Sequence, residues 1–198
     1  MTADLNGAVG NASGNFNSAN GTIAETLVNN TDAPIKVTYH ITPNIYNRCD
    51  WPTLDVDVWV DPTPTVIPSI TVQTICDKGT TNISLGSPSL FTSGVIKFKY
   101  TVEATGGVTG FSSPVTGLSK DHVIADVLNN PTDAPQTVTY TVVPVSPIGC
   151  VDGPAVDIVV TVNPTPKVNI SNTKPLICSG DNIDITVSTP TTSTNNAN

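Results

Sequence analysis

The stretch Asn129–Tyr140 reads Asn-Asn-Pro-Thr-Asp-Ala-Pro-Gln-Thr-Val-Thr-Tyr and repeats Asn29–Tyr39, Asn-Asn-Thr-Asp-Ala-Pro-Ile-Lys-Val-Thr-Tyr, at an offset of 101 residues. A match this long and this ordered does not arise by chance in a chain of 198 residues. It makes the molecule a tandem array and sets its period. The match extends in both directions. Ile23 answers to Ile124, and Cys49 to Cys150. One residue is then inserted, and Val58–Pro64 answers to Val160–Pro166. Ile75-Cys76 answers to Ile177-Cys178, and Ile83–Leu85 to Ile185–Val187. Near the start, Thr2–Asp4 answers to Thr101–Glu103. The length differences fall where loops are expected, as they do when repeats diverge.

The Pro-Thr-Pro stretches at 62–64 and 164–166 are the natural joints. Proline removes a ladder donor and fixes φ, so two in three residues end a strand and stiffen its exit. The expected division is the C-terminal part of one unit over 1–64, a complete unit over 65–165, and the N-terminal part of a third over 166–198. The chain is thus out of register with its own domains and reads as a piece of something longer, with Met1 falling where a strand is already running.

Composition narrows the function. Only 12 % of residues are charged, the formal net charge is -8, and Lys and Arg number eight in all. Eight cations leave no basic patch to hold a phosphate backbone, which argues against nucleic acid as a partner. No apolar run approaches the roughly 20 residues that span a bilayer, so no membrane insertion is expected. The abundance of Thr, Val, Asn and Pro is that of strands and turns.

The strands show as a period of two. Ile35, Val37, Tyr39 and Ile41 alternate with Lys36, Thr38 and His40. Leu54, Val56, Val58 and Val60 are expected to face inward, with Asp55, Asp57 and Trp59 outward. In the complete unit the expected strands are Val66–Ile75 (interrupted by Pro68), Thr81–Leu85, Val95–Ala104, His122–Leu128, Thr137–Val143 and Val156–Val162. A short edge strand is expected within the long loop 105–120. A strand is also expected at Thr22–Val28, and a turn set by Asx and Pro chemistry at Asn29–Pro34. Six or seven strands in about 100 residues, with turn signals every 8 to 12, predict an all-β chain of tandem immunoglobulin-like sandwiches.

Four cysteines at the repeat spacing favour disulfides and an oxidising compartment over buried thiols. Two pairings are open. Cys76–Cys150 lies inside the complete unit and leaves Cys49 and Cys178 to pair outside the chain. Cys49–Cys76 with Cys150–Cys178 uses all four, but its cysteines lie about a strand length on either side of a joint, too far apart for a bridge. Cys76–Cys150 is preferred, and it requires that Val66–Ile75 not run straight to the far end of the sandwich.

Cys76-Asp77-Lys78-Gly79, the Ile83–Leu85 strand, Leu128-Asn129-Asn130, Val138–Pro144, Gly149-Cys150 and Val160–Pro166 together carry a family likeness. In that order they resemble the PKD-like, immunoglobulin-like repeats of very large surface and secreted proteins of Bacteroidota. The resemblance covers nearly the whole chain. It implies export by the type IX secretion system, a place outside the cell or on its surface, and a role as stalk, filament or adhesin spacer. It brings no catalytic residues. The partners it implies are neighbouring repeats, a homo-oligomer or filament, and surface glycans.

Candidate sites are sparse. Asp50, Asp55, Asp57 and Asp61 cluster around the last strand of the first unit, and Asp152 and Asp157 around its counterpart. Calcium at a joint would need such oxygens to converge. Asp55 and Asp57 instead alternate on an outward face, so a solvated charged surface is expected. His40 is replaced by Thr141 in the sibling unit and His122 has no matched counterpart, which argues against either as a metal ligand. Trp51 and Trp59 occur in the first unit alone. Trp59, on an outward face, is the candidate contact for a neighbouring chain or a glycan. No Ser/His/Asp order, nucleotide loop or paired carboxylates point to catalysis, so a non-enzymatic repeat is expected, with an adhesive or carbohydrate-binding module as the alternative.

Overall fold

A computed structural model describes residues 1–10, 21–45, 49–50 and 52–192. The strands are β1 (Thr2–Asp4), β2 (Ile35–Ile41), β3 (Asn44–Ile45), β4 (Cys49–Asp50), β5 (Leu54–Val60), β6 (Ile67–Pro68), β7 (Val72–Cys76), β8 (Ile83–Gly86), β9 (Lys97–Ala104), β10 (Val115–Ser119), β11 (Val123–Ile124), β12 (Gln136–Val145), β13 (Val156–Asn163), β14 (Asn169–Asn172) and β15 (Ile185–Ser188). Residues 11–20, 46–48 and 193–198 lie outside the described residues, as does Trp51.

The central part is a two-layer β-sandwich. One sheet has the order β10-β9-β12-β13-β7 and the other β11-β8-β6. Strand β12 shows why these residues form strands. Val138, Tyr140 and Val142 are fully buried while Thr137, Thr139 and Thr141 between them are half-exposed, the alternation of a sheet with one face on the core. The core joins them to Ile83 and Leu85 from β8, Phe98 and Tyr100 from β9, Ile124, Leu128, and Ile158, Val160 and Val162 from β13. Each such side chain contributes about 1.5–3 kcal/mol relative to leaving it in water. The one polar tip among the largest of them is paired, with the Tyr140 hydroxyl donating to Asp126 at 2.8 Å. Burial and that carboxylate together push the Tyr140 phenol well above its ordinary pKa.

Val66–Ile75 is not one interrupted strand. It divides at Pro68 into β6, antiparallel to β8 in one sheet, and β7, parallel to β13 in the other. Proline has no N–H to continue a ladder, so the chain leaves one layer there and joins the other. The long loop does hold an edge strand, β10, on β9.

The flanking parts repeat pieces of this plan. Sheet β1-β2-β5 has the register of β9-β12-β13, with Thr2 opposite His40 as Thr101 is opposite Thr141. The Asn29 and Asn129 segments therefore occupy equivalent places. The β14–β15 hairpin repeats β6 against β8. What the flanks lack is a second layer among the described residues. Leu54, Val56 and Val58, expected to face a core, are 64 %, 47 % and 38 % exposed. The expected strand Thr22–Val28 forms a single bridge, Val9 to Val28. Its counterpart β11 is held by β8, and no described strand takes that position beside residues 22–28.

Candidate functional site

Among the described residues, no group of three or more His, Cys, Asp or Glu side chains is placed to hold a metal ion. The acidic residues are taken up singly. Asp57 accepts from Lys36 and Thr38, and the Thr38 hydroxyl, then Lys36, holds its carboxyl below the usual range. Asp55 and Asp4 flank His40, Asp61 binds Thr92, Asp152 binds Lys99, and Asp157 binds Thr141. Oxygens committed to separate partners along a strand face do not converge on a cation. Exposed pairs of this kind are screened by water and contribute little to stability.

The organised chemistry lies instead at the ends of the sheets. Asn130 is buried, and its side-chain amide donates to the Ala134 carbonyl at 2.9 Å and the Val162 carbonyl at 2.8 Å. Its Oδ1 accepts from the Thr132 amide and hydroxyl, at 2.9 and 2.8 Å. This is an Asx turn that also grips the last residues of β13 just before Pro164-Thr165-Pro166. Asn29 makes the same four bonds, to Ala33, Val60 and both donors of Thr31, just before Pro62-Thr63-Pro64. The expected Asx chemistry at 29–34 is thus present, with Asn29 corresponding to Asn130 and Asn30 to Pro131.

From these turns outward the two joints share three hydrogen bonds. At the first, the Thr65 amide donates to Ser89 Oγ, the Ser89 amide to Ser87 Oγ, and the Leu90 amide to the Asp32 carbonyl. At the second, the Lys167 amide donates to Thr191 Oγ1, the Thr191 amide to Thr189 Oγ1, and the Thr192 amide to the Asp133 carbonyl. Each joint has further ties. Asp61 accepts from the Thr92 amide and hydroxyl at the first. At the second, Lys167 pairs with Asp133 and the Thr165 hydroxyl donates to Asp77 at 2.6 Å. That last bond is the main reason the Asp77 carboxyl sits below its usual range. Glycine allows the closest approach: a Cβ at Gly153 would lie 1.7 Å from the Pro64 carbonyl oxygen. Pro64 is buried there, whereas Pro166 is exposed.

The strand register bears on one of the two open cysteine pairings, Cys76 with Cys150. Cys76, Cys150 and Cys178 are exposed, unbridged thiols. Cys76 stands opposite Asn163, at the far end of β13, while Cys150 precedes β13 at its near end. The preferred Cys76–Cys150 pairing needed Val66–Ile75 to stop short. Instead β7 runs alongside β13 to its last residue, separating the two cysteines by about 20 Å at ~3.3 Å per residue, against a limit of about 7 Å.

The architecture has a counterpart among known families. A family model for the PKD-like domain matches residues 5–64 and 73–166. The chain belongs to the PKD-like domain family. The PKD-like unit is an all-β sandwich, and this chain is an example of it. Comparison with curated proteins finds no significant match. In this PKD-like chain Trp59 is 58 % exposed, opposite Lys36 on the outward face of β5. The joint contacts, which the sequence reading missed, carry a faint signal: Ser87, Ser89 and Asp32 recur as Thr189, Thr191 and Asp133.

Proposed function

We propose that this PKD-like chain is a structural repeat of a long extracellular or cell-surface protein, a stalk, filament or adhesin spacer divided at its Pro-Thr-Pro joints. The observation that carries the reading is the recurrence of the same three joint hydrogen bonds at both junctions. Junctions that share these bonds favour a similar angle between successive units, and units at a repeated angle build a body of fixed reach. A linker meant only to tether would not need its own matched polar contacts on both sides. The low charge and Thr/Asn-rich surface suit an exposed fibre, and the likeness to Bacteroidota surface repeats favours export by type IX secretion.

Small-angle scattering, extrapolated to zero concentration, tests the joint. The wild-type curve is expected to fit one fixed arrangement of units, unchanged by salt. Replacing Pro62 and Pro64 by Gly together with Asp61→Ala is expected to broaden it into an ensemble. A wild-type chain already as flexible as that variant would overturn the reading. Protease shaving or antibody labelling of intact source cells tests the location.

Trp59 supports an adhesive or carbohydrate-binding face as the second reading, because a large aromatic ring stands exposed on a rigid strand. Glycan-array binding lost on Trp59→Ala would favour it.

A further inference from the structure

The central sandwich holds the whole repeat from one Pro-Thr-Pro joint to the next, and among the described residues its larger sheet still ends on two open edges, β10 and β7. Successive units touch at the joints, through Asp32 with Leu90 and Asp133 with Thr192, so both edges lie on the flanks of the sandwich. An open edge offers its backbone groups to any extended strand, and proteins guard it with bulges, prolines or charge. The β10 edge is guarded. Its register on β9 shifts between Val115 and Leu118, Gly117 has a φ of 74° there, Pro114 precedes the strand and Lys120 follows it.

β7 has none of these devices. It runs in regular parallel register along β13, from Val72 beside Val159 to Cys76 beside Asn163. The Thr71 carbonyl and the Asp77 amide, at its two ends, both bond to β13. Backbone groups alternate sides along a strand, so those of Val72, Thr74 and Cys76 point away from β13. Of these, the Cys76 carbonyl accepts from the Gly79 amide. The Val72 side chain is 69 % exposed. From Pro62 to Cys76 the chain has no charged residue. The next repeat differs at this place. Its counterparts of Val72 and Gln73 are Lys174 and Pro175, the residue types that guard an edge. The sequence thus guards this edge in one repeat and leaves it open in another.

We propose that two copies of this chain join β7 to β7, antiparallel across a two-fold axis, and merge their five-stranded sheets into one continuous sheet. The edge is its own complement. With Thr74 opposite its own copy and Val72 opposite Cys76, outward N–H groups meet outward carbonyls on both sides of the axis. Charge also favours a second copy. Chains of net charge -8 repel one another, and an uncharged strip is where two of them can approach. Selecting a foreign strand takes side-chain recognition beside the edge, and β7 offers no charge for it. A two-fold contact is isologous and closes at two chains. Five residues span about 17 Å, which places the contact at the low end of interface sizes and makes the dimer concentration-dependent. The proposal goes beyond the stalk reading and does not depend on it.

Sedimentation velocity of the full chain across a concentration series, with reductant present, tests it beside three variants. Val72→Lys gives β7 the charge that its counterpart carries. Thr74→Pro removes an amide that points away from β13, a change an edge strand tolerates. Thr116→Lys makes the same charge change on the guarded β10 edge. The unfolding transition of the central sandwich checks that each variant folds. Wild type and Thr116→Lys are expected to form dimers and to stop there. Val72→Lys and Thr74→Pro are each expected to raise the dissociation constant on the order of tenfold or more. The Thr74 amide of the wild type is expected to exchange with deuterium more slowly as concentration rises. A wild type that stays a single chain throughout overturns the proposal. So does association that both β7 variants leave unchanged, because that pattern puts the contact on another surface.

Discussion

The Asn130 amide holds the Val162 carbonyl at 2.8 Å, and Asn29 holds Val60 at the same distance. One side chain thus closes a turn and fastens the end of the strand that leads into the joint. Asn130→Ala removes four bonds and leaves the Thr132 amide and the Val162 carbonyl without this partner. Loss of about 2–3 kcal/mol of the central sandwich's stability is expected. Urea unfolding with an unchanged m-value would show it, and a loss under about 0.5 kcal/mol would mean the clamp is dispensable.

Leu128 and Leu27 are sequence counterparts with different surroundings, one fully buried and the other half-exposed in an open groove. Leu128→Ala is expected to cost about 2–5 kcal/mol through lost burial and a cavity. Leu27→Ala is expected to cost under about 1 kcal/mol because water already reaches its site. Equal costs would show that the groove is already filled.

The Tyr39 hydroxyl donates to Glu25, and that bond, with burial and the carboxylate's charge adding to it, pushes the phenol up to about 12. A raised pKa contributes stability that is present below pH 10 and is lost as pH rises toward 12. Absorbance titration of the phenolate band should show this late step, and Glu25→Gln should bring it down. A Tyr39 that ionises at its ordinary pH would break the assignment.

His40 lies between Asp55, at 2.6 Å, and Asp4, at 3.2 Å, and its pKa is raised, chiefly by the Asp55 hydrogen bond. The contribution to the first sheet is therefore full below pH 6.5 and fades as pH climbs through the raised value. Following the His40 ring protons by NMR, Asp55→Asn should shift the titration toward lower pH. No shift would remove Asp55 as the cause.

Cys76 and Cys150 occupy opposite ends of the sandwich. Native-state alkylation without reductant is expected to label both, each on its own peptide. Recovery of a peptide linking the two would contradict the parallel register of β7 on β13.

The repeat, the two joints and the alternating strands are readable from the chain because each rests on local patterns, a recurring string, a pair of prolines or a period of two. The Asx turns are local too, and so equally plain. Three things are not local. Whether Pro68 bends a strand or sends it to the other sheet depends on which neighbour takes its edge. Which ends two cysteines occupy depends on that same choice, and the pairing expected from sequence failed with it. Burial is the third: Val58 and Val160 sit in the same string, Val58 half-exposed and Val160 sealed. The difference is whether a second layer stands over them. A sequence pattern marks the face that can be buried, and only the presence of another sheet about 10 Å away removes it from water.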